Sequence, residues 1–240
     1  MSIAIMKIIQ LTLCFAFICG VYSSHVSESA MDDIEQVNKG GNYDQVDMKL
    51  TEEQRASFHS IKSNNRNRRS IYDKMYNARW SKAVVPVTIS SEFGESEKAT
   101  IYKAIRNIES VSCVRFKEYP AASAPVDHVD IYRGSGCWSY IGRTGGRQDL
   151  SLGYGCVHVH TVIHELLHAL GFFHEQSRPD RNQYVTVNTR NIRAGYESNF
   201  DISEYSHKDG FGVKYDSESI MHYGRYVFKL WGYDINTTSH

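Results

Sequence analysis

No charge of either sign predominates in this 240-residue chain: 27 Lys and Arg stand against 27 Asp and Glu. That balance excludes a chain-wide basic footprint for nucleic acid, and equally an acidic solvating tail. Proline is scarce, with 4 residues against 17 Gly and 16 Tyr, so the chain is not a proline-rich low-complexity sequence. It has no internal repeat, no coiled-coil heptad, and beyond residue 21 no apolar run that could cross a membrane. Cysteine is sparse too: of five, Cys14 and Cys19 lie within the first twenty residues. A hydrophobic fraction of 41% is still enough for a buried core. At roughly 150 residues per domain, the length fits one domain with a segment added.

The one long apolar run occupies 8–21, behind Lys7 and ahead of Ser23 and Ser24. A charged start, an apolar run and small residues after it make a secretory signal peptide, residues 1–23, cut after Ser23. Gln10 and Thr12 interrupt the run, which falls short of the about 20 residues that a span needs. The expected product is therefore secreted and extracellular, with no membrane partner. Cys113, Cys137 and Cys156 then remain for an oxidising compartment, an odd number that leaves one thiol over.

Residues 24–69 form a separate segment, with Asp32, Asp33, Glu35, Asp44, Asp47, Glu52 and Glu53 but few large apolar residues. Such a composition cannot bury a core alone. The segment closes on Arg66-Asn67-Arg68-Arg69, exposed bases with polar sequence before them and a packed-looking domain after. On a secreted chain this is where a processing protease would cut, at Arg69, making 24–69 a pro-segment and 70–240 the functional domain. Beyond those four residues nothing suggests nucleic acid, and no such partner is expected.

Within 70–240 the pattern is mixed. Val84–Ile89 reads as a strand, with Pro86 indicating an edge position. Ala99, Ile101, Tyr102, Ile105 and Ile108 fall near helical spacing, which predicts an amphipathic helix over 95–108. Segments 114–119 and 128–132 alternate like strands, and 149–152 makes a further one. Glycines at 134, 136, 142, 145 and 146 mark the loops between them.

The chemistry is concentrated in TVIHELLHALGFFHEQSR, residues 161–178. His164 and His168 are four apart, so on a helix they share a face and can grip one zinc ion. Glu165, beside the first ligand, can reach a metal-bound water. Gly171 stands where a left-handed helix end favours glycine, and the turn lets His174 supply a third ligand. Three protein ligands leave a position open, as catalytic zinc requires. With 11 His, 14 Glu and 17 Gly in 240 residues, H-E-x-x-H-x-x-G-x-x-H arises by chance in roughly one such chain per ten thousand. Downstream, in Ser219-Ile220-Met221-His222-Tyr223, Met221 can floor the metal site as a methionine turn.

HELLHALGFFHEQSRPDR followed by SIMHYG resembles the astacin family of zinc endopeptidases, metzincins made as secreted zymogens. The resemblance extends to GCWSYIGRTGGRQDLSLGYGC at 136–156 and to VVPVTI at 84–89. It implies an α+β, zincin-like catalytic domain. A twisted sheet and the active-site helix would make the N-terminal lobe, and the C-terminal lobe would be mostly irregular. It further implies one Zn2+ per chain, held by His164, His168 and His174. Glu165 would be general base for hydrolysis of protein or peptide substrates by a zinc-activated water. Tyr223 would stabilise the oxyanion, and Glu175 would hold the new N-terminus after processing. Asp47 would plug the zinc in the zymogen, although Asp44 and Val46 replace the Phe and Gly of the family's F-x-G-D pattern. Cys137 and Cys156 would pair. Cys113 would be the leftover thiol, because the chain ends at His240 without the C-terminal helix and cysteine that the family carries; the domain is expected to be C-terminally incomplete. An extended substrate is expected along an edge strand near 148–152. Asn236-Thr237-Thr238 is a glycosylation sequon. The alternative reading is a secreted zinc-binding protein that has lost hydrolysis with its C-terminus.

Overall fold

The computed structural model of the chain describes residues 27–41, 43–55, 79–203, 213–224 and 236–238. The expected signal peptide, the basic cluster ending at Arg69 and the start of the expected domain at Ser70 lie outside the described residues.

The N-terminal segment contributes helix α1 (Ser27–Val37) and a two-residue strand β1 (Met48–Lys49). Met31 and Ile34, three apart on one helix face, are fully buried. They join the core cluster of the domain rather than making one of their own. A segment too poor in apolar residues to fold alone can thus dock on a core already built, each buried side chain contributing about 1.5–3 kcal/mol. Arg193 pairs with Glu35, and His160 Nε2 lies 3.3 Å from Asp33, tying α1 to the domain.

The domain continues with β2 (Val84–Ile89), α2 (Glu95–Ser110), β3 (Arg115–Glu118), β4 (His128–Tyr132), β5 (Cys137–Tyr140), β6 (Arg147–Leu152) and α3 (Val159–Leu170). In α2 the buried Ile101, Ala104, Ile105 and Ile108 follow the 3.6-residue period. Its start is closed by Glu97, whose carboxylate accepts from Gly94 N at 2.9 Å. Helix α3 is buried on all sides from Thr161 to Leu170 and packs against α1 and α2, a core helix rather than a surface one.

The six strands form one sheet in the order β1-β5-β6-β4-β2-β3. All pairs are parallel except β5 with β6. Two expectations are corrected here. Strand β2 is interior, not an edge, despite Pro86. Val87 O accepts from Tyr119 N at 2.9 Å, so Pro86 turns its nitrogen towards β4. Pairing with β4 begins only at Val87, so no ladder hydrogen bond is lost. Strand β6 is interior as well, between β5 and β4. Within the domain the edge beside α3 is β5, and strand β1 of the N-terminal segment lies along it.

After α3 the described chain is mostly short 3-10 turns, as the resemblance implies, with one small antiparallel pair of β7 (Val185–Val187) and β8 (Asn236–Thr238). A disulfide joins Cys137 at the head of β5 to Cys156. Cys113 is disulfide-bonded too in the full-length chain; its expected status as the leftover thiol concerns the chain without residues 1–23.

Candidate active site

Helix α3 presents His164 and His168 on one face with ring centroids 4.7 Å apart. Its end is a Schellman turn: Gly171 N donates to His168 O at 2.8 Å and Phe172 N to Leu167 O at 3.0 Å. Gly171 has φ +105, a conformation that a side chain would strain. The reversal brings His174 to 4.8 Å from His168, centroid to centroid.

The tautomers follow from the partners. His164 Nδ1 lies 2.8 Å from Ile220 O, His168 Nδ1 2.7 Å from Phe172 O, and His174 Nδ1 3.1 Å from Gln45 Oε1. Those oxygens can only accept, so each Nδ1 carries the proton and each Nε2 offers a lone pair. Burial lowers the pKa of His168 and brings that of His174 to about 4, which keeps both rings neutral. The three Nε2 atoms converge on Asp47, at 3.0 Å for His164 to Oδ2, and 3.6 and 3.1 Å for His168 and His174 to Oδ1. Burial opposes ionisation of Asp47, and its carboxyl is held well below the usual range only by positive charge at His174 and His164, a charge that a bound cation would supply while the rings stay neutral.

Acceptors therefore face acceptors in a dry pocket. All four side chains are fully buried, and their converging atoms have no hydrogen-bond partner among the described residues. Such an arrangement is costly alone and is satisfied by a cation among the four donors. The ligand atoms lie within 4.8 Å of one another, and three imidazoles with one carboxylate suit zinc.

Glu165 is also fully buried, and neither carboxylate oxygen has a hydrogen-bond partner among the described residues. Burial, then the charge of Asp47, raises its pKa well above the ordinary value. Met221 is buried in a turn next to Ile220; its carbonyl accepts from Glu175 N at 2.9 Å, while Ile220 O accepts from His164 Nδ1. Tyr223 is buried with its ring centroid 4.6 Å from that of His174, and its backbone N donates to Gln176 Oε1 at 3.1 Å. Glu175 is buried, its carboxylate accepting from Arg178 Nη1 at 2.9 Å and Asp216 N at 3.0 Å. Asn236 pairs with Val187 in the backbone register of the small sheet.

Several residues that the sequence reading did not single out join the N-terminal segment to β5. Ser139 N donates to Asp47 O at 3.0 Å, and Gln54 Nε2 donates to Ile141 O at 2.9 Å. Asn38 Nδ2 donates to Cys137 O at 2.6 Å and Val46 O at 2.8 Å, and its Oδ1 accepts from Cys137 N at 2.8 Å. Gly136 permits this approach, since a Cβ there would meet Asn38 Oδ1 at 2.4 Å. Lys49 Nζ sits 3.4 Å from the Trp138 ring centroid.

The two departures from the F-x-G-D pattern also find partners. The Asp44 carboxylate accepts from Arg55 Nε at 2.8 Å, Arg55 Nη2 at 2.9 Å and Leu50 N at 2.8 Å, closing the loop that carries Asp47. Val46 N donates to Asn199 Oδ1 at 3.0 Å. A polar clasp stands where the family pattern has an apolar anchor.

The family model for the Astacin peptidases matches residues 73–238. Zinc metalloproteinase nas-13 of Caenorhabditis elegans is 41% identical over 154 residues, which cover 64% of this chain and 34% of that protein. Zinc metalloproteinase nas-4 of the same organism is 39% identical over 194 residues, 78% of this chain and 58% of the relative. The chain thus spans only a part of the curated relatives that it matches. Among solved structures, high choriolytic enzyme 1, a hatching enzyme zinc-protease from Oryzias latipes, is 38% identical with a TM-score of 0.60, covering 67% of this chain and 79% of that one.

Proposed function

The chain belongs to the astacin family of peptidases, and on that premise we propose that it is a secreted zinc endopeptidase made as a zymogen. The observation that carries this reading is the convergence of three proton-free Nε2 atoms with Glu165 buried beside them. His164, His168 and His174 would hold one Zn2+, which when bound supplies Lewis acidity to polarise a scissile carbonyl and acidify water.

The chain's own residues do the rest. Glu165 takes a proton from the attacking water and returns it to the leaving amine. Tyr223 donates to the oxyanion, where charge develops. Strand β5 offers its backbone groups to an extended protein or peptide substrate, a mode that reads main chain more than side chain. In the precursor those groups are taken by Asn38 and Asp47, Gln54 takes the carbonyl of Ile141 just beyond, and Asp47 fills the fourth position at the ligands. Cleavage by a processing protease at Arg69 frees both, and Glu175 then receives the new N-terminus. The signal peptide 1–23 directs secretion, and Asn236 carries a glycan.

The test is processing-dependent turnover. The secreted precursor, loaded with zinc, is assayed on a quenched generic peptide before and after cleavage following Arg69. Turnover that rises on cleavage supports the reading. Equal turnover before and after contradicts the zymogen, and zinc binding without turnover in either form contradicts the peptidase.

A further inference from the structure

We propose that Gln45 is a positioning residue for the third metal ligand. Its amide oxygen fixes the tautomer and ring orientation of His174 while the pro-segment is in place, so the precursor holds zinc more tightly than the released domain does. The inference rests on the reading of Asp47 as the zymogen plug and goes beyond it.

The three ligands differ in where their Nδ1–H finds an acceptor. His164 and His168 use backbone carbonyls of the domain itself, Ile220 O and Phe172 O. His174 uses a side chain 129 residues upstream, on the segment to be removed, at 3.1 Å. Asp47 approaches Nε2 of the same ring at 3.1 Å. The pro-segment therefore faces one imidazole at both nitrogens, with an acceptor for Nδ1–H and a carboxylate across the metal position from Nε2.

Gln45 is itself held. Its backbone O accepts from Met48 N at 2.7 Å, and its Nε2 lies 3.5 Å from Oγ of the buried Ser177. Asp44 and Val46 on either side are tied to Arg55 and Asn199. An acceptor fixed at this point keeps the lone pair of His174 Nε2 towards the metal, a role left to water in the released domain; an aliphatic side chain would let the ring rotate or change tautomer. Outer partners of metal-bound histidines set ligand basicity and orientation, and their loss costs about 10- to 100-fold in metal affinity.

The experiment measures zinc affinity, not turnover. The uncleaved precursor is titrated with zinc against a chromogenic chelator as wild type, Gln45→Leu, Gln45→Glu and Asp47→Ala. The expected result is zinc binding about tenfold weaker or more for Q45L, with Q45E, which keeps an acceptor oxygen, close to wild type. The Nδ1–H resonance of His174 in the zinc-loaded precursor should shift in Q45L and not in Q45E. Released domains from wild type and Q45L have one sequence and must bind zinc alike, which assigns any difference to the pro-segment. Equal affinity of Q45L and wild-type precursors overturns the proposal. If D47A is then weaker, the plug reading survives without Gln45; if D47A is unchanged as well, the plug reading fails with it.

Discussion

Replacing Asn38 by alanine should loosen the pro-segment without touching the domain that it covers. Asn38 is 5% exposed and makes three hydrogen bonds, to Val46 O and to both backbone groups of Cys137. Each such bond is worth about 1 kcal/mol net, and more where a buried group is left without water. Groups that meet water when the segment lifts recover part of this by solvation, so the closed state should lose about 2–3 kcal/mol. At about 1.4 kcal/mol per tenfold, the open fraction rises about 30- to 150-fold. Amide exchange at Ser139 reads this directly, because its N–H donates to Asp47 O and not to Asn38. In the wild-type precursor this amide should exchange slowly, and in Asn38→Ala faster by that factor. Amides in the interior strand β6 should not change. Unchanged protection of Ser139 would refute the view that Asn38 clasps the pro-segment to the edge strand. Loss of protection in β6 as well would mean general destabilisation instead.

Three further outcomes follow from the same contacts. Ile34→Ala removes a fully buried side chain from the shared core and should destabilise the docked precursor by about 2–5 kcal/mol; after cleavage at Arg69 the domain should melt as the wild type does. Asp47→Ala should give a precursor that cleaves the quenched peptide before any processing, and one still latent would place the block on the edge strand alone. Separating Cys137 from Cys156 by Cys156→Ser opens a 19-residue loop, expected to cost about 3 kcal/mol in thermal unfolding.

The three converging histidines were legible in the sequence because their geometry is local. A four-residue spacing on a helix, a glycine able to take φ +105 and a third His one turn on depend on a single stretch of chain. The strand order was not. Pro86 suggested an edge, and 148–152 was expected to be one for substrate pairing, yet both sit inside the sheet, because pairing between distant strands decides an edge. Strand β5, only four residues long, leaves no clear alternation to read. Residues 24–69 were judged on composition, which shows that they cannot make a core but not that Met31 and Ile34 can enter another. Asn38 and Gln45 act through single polar side chains in a loop, with no periodicity to mark them. Gly136 was read as a loop glycine, and its need to admit Asn38 is visible only once the two segments meet.

The account turns on Glu165 as the proton carrier at a site held by three histidines. The most direct measurement compares hydrolysis of a quenched peptide by the processed chain with that by its Glu165→Ala variant, zinc content being recorded for both. The account predicts equal zinc and turnover reduced about 100- to 10,000-fold in the variant. Turnover that survives with zinc bound would contradict the role of Glu165, and zinc lost with the carboxylate would show that Glu165 holds the metal instead of working beside it.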